Sequence, residues 1–183
     1  MPVLAVDVAA SVTSQGDALR DAPRFLDFLA RHGDRALLRD GGREHFTASA
    51  FVFDPAFVRI LLCFHGKGRF WVQFGGHIEP DDEDLAEAAL REAREESGVD
   101  DVTLVSRHPI DLDRHELSAG FGWCTAHWDV GFAATAAADA VPTVSDESVD
   151  VAWFDVDELP ESVPHGFVTR VRRARDVARR AVA

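Results

Sequence analysis

Positive charge and cysteine are both scarce in this chain. Its 183 residues carry 19 Lys and Arg against 32 Asp and Glu, a formal net charge of −13. That balance argues against general binding to a nucleic-acid backbone or an anionic membrane. The two cysteines, Cys63 in "LLCFH" and Cys124 in "GWCTA", lie far apart in apolar settings. A disulfide framework is therefore not expected; buried thiols in a cytoplasmic protein are. No run of about 18 apolar residues is present, which excludes a hydrophobic transmembrane helix. The start, "MPVLAVDVAASV", lacks a positive residue and carries Asp7, unlike a secretory leader. There is no internal repeat and no low-complexity linker. What is present is a chain that is 46% hydrophobic, enough for one domain over residues 1–183 with a full core.

Residues 14–31 read as a helix, with Ser14 as cap and Leu19, Phe25, Leu26, Phe28 and Leu29 on its apolar side. Pro23 interrupts it, so the segment is either two short pieces or a late start with Pro23 in the first turn. Strands follow at 45–53, 57–64 and 69–74, with "RDGGRE" and "HGKG" as turns. Later strands are expected near 102–108, 126–135 and 149–155, with a loop over 136–148. A helix over 165–182 carries Phe167, Val171, Ala174, Ala178 and Ala181 on one side and arginines on the other, read as solvated. Strands flank a central helix, with further helices at both ends: an α+β or α/β sandwich.

The central segment is "GGHIEPDDEDLAEAALREAREESGV", 75–99. Asp84 followed by Glu87 is a capping box, and Gly98 a stop, for a helix over 85–97. At about 100° per residue, Glu92, Glu95 and Glu96 crowd one stripe. Like charges one turn apart cost a few tenths of a kcal/mol per pair. They also stand near the helix C-terminus, where the macrodipole disfavours them. Glu87 and Arg91 are spaced for an i,i+4 pair, but the three later glutamates lack a basic residue four positions on. A solvated acidic face is the bland reading. A hard divalent cation bound through oxygen is the one that offsets the cost. A Gly-Gly turn just before the helix lets a ligand approach bare backbone.

This segment resembles the signature of the Nudix hydrolases. Arg91-Glu92-Ala93-Arg94-Glu95-Glu96-Ser97-Gly98-Val99 matches its second half at every fixed position, and Gly76 matches its first glycine. Fourteen residues separate Gly76 from Arg91 where the signature has thirteen. Counting forward from Gly76 puts the motif's first acid at Asp82; counting back from Arg91 puts it at Glu83. The resemblance covers about 45–160 as the core, with a late "WF..DELP" at 153–160. It leaves a helical extension over 1–40 and the helix at 165–182 outside. It implies an α/β/α sandwich with a mixed sheet. It also implies a Mg²⁺- or Mn²⁺-dependent hydrolase cleaving a diphosphate linkage in a nucleoside diphosphate derivative, with a small-molecule substrate. Glu92, Glu95, Glu96 and the carbonyl of Gly75 would hold metal, with Arg91 orienting the glutamates. A further glutamate, as ligand or general base, would come from a loop before a late strand. Glu147 is the choice and Asp146 its neighbour.

Other candidates weigh less. His77, directly after the glycines, is placed either to reach a phosphate or simply to stand exposed. "HIE" at 77–79 is similar to a zinc-deaminase element, but the later Pro-Cys-x-x-Cys is missing. His115, Cys124 and His127 are too irregularly spaced to read as a metal site. Lys67 and Arg69 read as surface, and Phe70, Trp71, Trp123 and Trp128 as packing. Two alternatives keep the fold: a non-catalytic nucleotide sensor, and an isoprenoid-diphosphate isomerase using Cys63. A homodimer is compatible with this sequence.

Overall fold

The structure is a computed structural model that describes residues 3–13, 19–117, 122–144 and 148–183. In chain order the elements begin with α1 (Ala5–Thr13), α2 (Ala22–His32) and a 3₁₀ turn (Gly33–Leu37). Four strands follow: β1 (Glu44–Phe53), β2 (Arg59–His65), β3 (Phe70–Val72) and β4 (Phe74–His77). Then come α3 (Leu85–Ser97), β5 (Thr103–Leu104), β6 (Asp111–Glu116), β7 (Ala126–Thr135), β8 (Ser148–Asp155) and α4 (Phe167–Ala181).

The helix expected over 14–31 is the late-starting one, because α2 takes Pro23 into its first turn. There the fixed φ suits the helix and the missing N–H is no loss. Ser14 lies outside the described residues. A separate α1 precedes α2 and buries Val8 and Val12, which the small-residue start did not announce.

Strand β1 organises the sheet. It runs parallel to β7 along its whole length, from Glu44↔Ala126 to Phe53↔Thr135. On its other side it pairs with β4 near its start and with β2 at its end. Strand β8 lines β2, and β5 and β6 both line β7. Alternation along β1 divides the core in two. Phe46, Ala48, Ala50 and Val52 pack in one cluster with α1, α2 and α3, whereas Phe51 and Phe53 pack with α4. The result is a mixed sheet between helical layers, an α/β/α sandwich.

Three expectations change. The strand at 69–74 is two strands: β3 pairs with β2, and past Gln73 the chain crosses to pair with β1 as β4. Gly75 and Gly76 therefore lie inside β4 and not in a turn. Only Thr103–Leu104 of the expected 102–108 is strand, and the next strand, "DLDRHE" (β6), was not expected. Its charges hid it: Asp111 is buried, yet paired with Arg170 and Arg173 of α4. For the same reason the arginine side of α4 is not simply solvated. Arg170 donates to Asp111 and Asp113, and its side chain is only 16% exposed. Of the expected apolar side, Phe167, Val171, Ala174 and Ala178 are buried and Ala181 is exposed. Both cysteines are thiols, and Cys63 is core, its Sγ 3.6 Å from the Val72 carbonyl.

Candidate active site

Helix α3 is closed at both ends by the residues its sequence supplies. Asp84 accepts the Glu87 N–H at 2.9 Å, and Gly98 adopts the left-handed conformation (φ 64°) while its N–H bonds the Arg94 carbonyl. Leu85, Ala86, Ala88, Ala89 and Ala93 are buried, which presents the acidic stripe at the helix edge beside β4.

Glu87 does not pair with Arg91 as its spacing suggested. It stands 3.7 Å from Arg107, which also grips the cap residue Asp84 at 2.7 Å. Arg94 is likewise taken, donating to the Val102 carbonyl. Arg91 is thereby left to hold the site. Its Nε and Nη2 fork onto Asp82 at 3.0 and 3.1 Å, and Nη2 also donates to the His77 carbonyl at 2.9 Å. Nη1 contacts Glu92 at 3.0 Å and Glu95 at 3.1 Å. Glu92 and Glu95 thus have a cation after all, reached from i−1 and i−4. The Asp82 hydrogen bonds are the main reason the guanidinium pKa is raised above its ordinary value.

This geometry separates the two acids left open by the extra loop residue. Asp82 is 3% exposed, bonded to Arg91 and to the Glu79 N–H, while Glu83 points to solvent. The fork-on-fork pairing of a buried carboxylate with arginine adds direction as well as energy.

Gly76 lets the helix close on β4, and Gly75 lets β4 close on β1. A Cβ on Gly76 would stand 2.5 Å from Glu92 Oε1, and one on Gly75 would stand 2.5 Å from the Ser49 Cβ and 2.8 Å from the Ala48 carbonyl. The Gly75 N–H donates to Glu96 Oε2 at 3.0 Å. Glu92, Glu96 and the Gly75–Gly76 backbone are thereby drawn together. The Glu95 side chain is 61% exposed at the mouth. The set is all oxygen, which suits a hard divalent cation. Glu147 and Asp146 lie outside the described residues.

The sheet face turned toward α4 is polar at the N-terminal end of β1. Thr47 and Ser49 donate to the buried Asp129 at 2.9 and 2.6 Å, and Gln73 reaches the same carboxylate. Burial pushes the Asp129 carboxyl up, against the pull of Arg170 and the two hydroxyls. Beside this network His45, His77 and His127 meet on one face. His77 is pushed down to about 4 and His127 to about 3, first by burial and then by neighbouring imidazoles and, for His77, Arg39. The sequence reading missed His45 altogether and grouped His127 with Cys124 and His115. The signal was available only as register, because these residues meet across strands and not along one. Trp128 packs on Phe25 and Phe28, and Trp71 on Phe64 and Phe154, as packing aromatics. Trp123 is exposed instead. Lys67 and Arg69 are exposed at the hairpin.

Comparison with known proteins agrees with the fold and the segment. The NUDIX domain family profile matches residues 43–173. A NUDIX-family hydrolase from Clostridium perfringens is 26% identical over 73% of this chain and 97% of its own, with a TM-score of 0.59. An Ap4A hydrolase of C. elegans is 17% identical over 75% and 98%, with a TM-score of 0.60. An ADP-ribose pyrophosphatase from Streptococcus suis is 18% identical over 73% and 91%, with a TM-score of 0.50. A comparison with curated proteins found no match. This chain belongs to the Nudix family. It is a pyrophosphohydrolase acting on acid anhydrides. Among the described residues no helix is long and apolar enough to cross a membrane.

Proposed function

We propose that the chain hydrolyses the diphosphate linkage of a nucleoside diphosphate derivative, with Mg²⁺ or Mn²⁺ held by Glu92, Glu95, Glu96 and the Gly75 carbonyl. The observation that carries this reading is the closure of Glu92 onto Gly76, where a side chain would strike its carboxylate, and of Glu96 onto the Gly75 N–H. A divalent ion bound there supplies charge for the diphosphate oxygens and lowers the pKa of a water for attack at phosphorus. The chain's own part is to fix the carboxylates. Asp82 locks Arg91, Arg91 sets Glu92 and Glu95, and the Gly75 N–H sets Glu96. Attack of water at one phosphorus breaks its bond to the bridging oxygen and releases two phosphorylated products. Glu147 is kept as the further glutamate from the loop before β8.

The Ap4A and ADP-ribose named for two of the similar structures support a nucleotide-derived small molecule as substrate. The isomerase alternative loses its acid, because Cys63 is 2% exposed and packed in the core. The test is a panel of nucleoside diphosphate derivatives with Mg²⁺, read as phosphorylated products. Glu95→Gln and Glu96→Gln are each expected to lower turnover at least about 100-fold. Unchanged turnover in both would remove the metal role assigned to these residues.

A further inference from the structure

The register of four strands lines up histidines that lie far apart in sequence. His127 on β7 stands opposite His45 on β1. His77 on β4 stands opposite Thr47, one diagonal step from His45. His115 on β6 stands opposite His127. Residues opposite one another, and those two apart on a strand, share a face, so all four imidazoles fall on the sheet face toward α4. Ring centroids are 4.9 Å apart for His45–His127, 5.0 Å for His45–His77 and 5.6 Å for His77–His127. One ring nitrogen from each of these three lies within 4.8 Å of the other two.

We propose that His45, His77 and His127 form a binding site for a borderline first-row divalent ion, with zinc as the reference ion. This is a second site, chemically unlike the oxygen set of α3. Zinc–nitrogen bonds of about 2.0–2.1 Å in a tetrahedron place ligand nitrogens roughly 3.4 Å apart. Small rotations of the three imidazoles close the remaining gap, while the backbone positions are already set by paired strands. His45 is 1% exposed near the start of the central strand β1, so the site is anchored in a paired element. Imidazole nitrogen selects zinc, nickel or copper over magnesium, which separates this set from the neighbouring carboxylates.

The surroundings fit such a centre. Burial is the first cause that lowers the pKa of both His45 and His127, which keeps them in the neutral form that offers a lone pair. His115 contacts the His127 ring at 5.4 Å and is itself tied to Asp113 at 3.0 Å, and Asp113 is tied to Arg170. That edge-on contact packs the His127 ring from one side. Cys124 approaches His45 at 3.7 Å but is not part of the converging set, so the ligands are nitrogens. As a purely packed cluster, three neighbouring imidazoles lose hydration for ring contacts and one weak thiol contact; a shared ion offsets more of that cost.

The experiment is a zinc titration of the full-length, chelator-stripped protein in excess Mg²⁺, read by competition with a chromophoric zinc indicator. One zinc per chain is expected. His127→Gln and His77→Gln are each expected to weaken it at least about 100-fold while far-ultraviolet circular dichroism stays unchanged. Glu96→Gln and Cys124→Ser are expected to leave it within a few-fold. Co²⁺ in place of zinc should give the intense visible bands of a tetrahedral ion, independent of the indicator. Absence of stoichiometric zinc, retention in both histidine variants, or loss in Glu96→Gln would each overturn the proposal.

Discussion

Helices α3 and α4 lie on opposite faces of one sheet, and each is fastened by an arginine on a buried aspartate. Arg91 forks onto Asp82, 4% exposed in its side chain, and Arg170 binds Asp111, 1% exposed. The difference is in what remains around the pair. On α4 the arginine is surrounded by further aspartates, Asp113 and Asp129, and the cluster is sealed between helix and strands. On α3 the same guanidinium still has a free side, which it uses to hold Glu92 and Glu95 at an open edge. One clasp joins two layers; the other presents carboxylates. An arginine–aspartate pair alone therefore does not mark a site.

Truncation of each clasp separates the two roles. Arg170→Ala takes its arginine from Asp113 and Asp129 and leaves the buried Asp111 with Arg173 alone, and is expected to cost about 3–5 kcal/mol in urea unfolding. Turnover per folded molecule should change far less. Arg91→Ala should act mainly on rate, lowering turnover about 10–100-fold, because the glutamates lose their positioning group. If the two variants had the same ratio of rate loss to stability loss, the distinction between the clasps would fail.

The glycines sharpen the comparison within the α3 side. Gly76→Ala drives a methyl into the Glu92 carboxylate, an adjustable side chain, and is expected to cost activity with a change in melting temperature of only a few degrees. Gly75→Ala meets the backbone of β1 and is expected to cost stability first, by about 1–3 kcal/mol. Thermal melts beside turnover of both variants decide between these outcomes.

A smaller effect comes from the α4-facing histidines. In the folded chain His77 takes a proton only near pH 4 and His127 near pH 3, whereas unfolded histidine titrates near about 6.5. Between those limits the unfolded state binds more protons, so stability rises with pH up to about 6.5 and falls as acid is added below it. Urea melts of metal-stripped protein at stepped pH should show this slope. The double variant His77→Gln, His127→Gln should flatten it.

Much of the α3 side was legible because its signals are local. Asp84, Glu87 and Gly98 bound one helix, and the arginine and glutamates recur at fixed spacing within it. Strand β7 was equally plain, being a ten-residue run buried along nearly its whole length. The rest depends on partners remote in sequence. Strand β6 reads as loop until Arg170 and Arg173 are seen to neutralise it. The choice of Asp82 over Glu83 needed the path of the loop back to Arg91. The histidines of β1, β4 and β7 meet only through strand register, and the run at 69–77 divides because β1 offers pairing where β2 no longer does.

The central claim is that Glu92, Glu95 and Glu96 act together as the hydrolytic centre. Its most direct measurement is product analysis of a nucleoside diphosphate derivative incubated with Mg²⁺ and either wild-type protein or Glu96→Gln. The account predicts two phosphorylated products from the wild type and at least about a 100-fold slower release from the variant at equal folded concentration. Equal rates from the two proteins would contradict it.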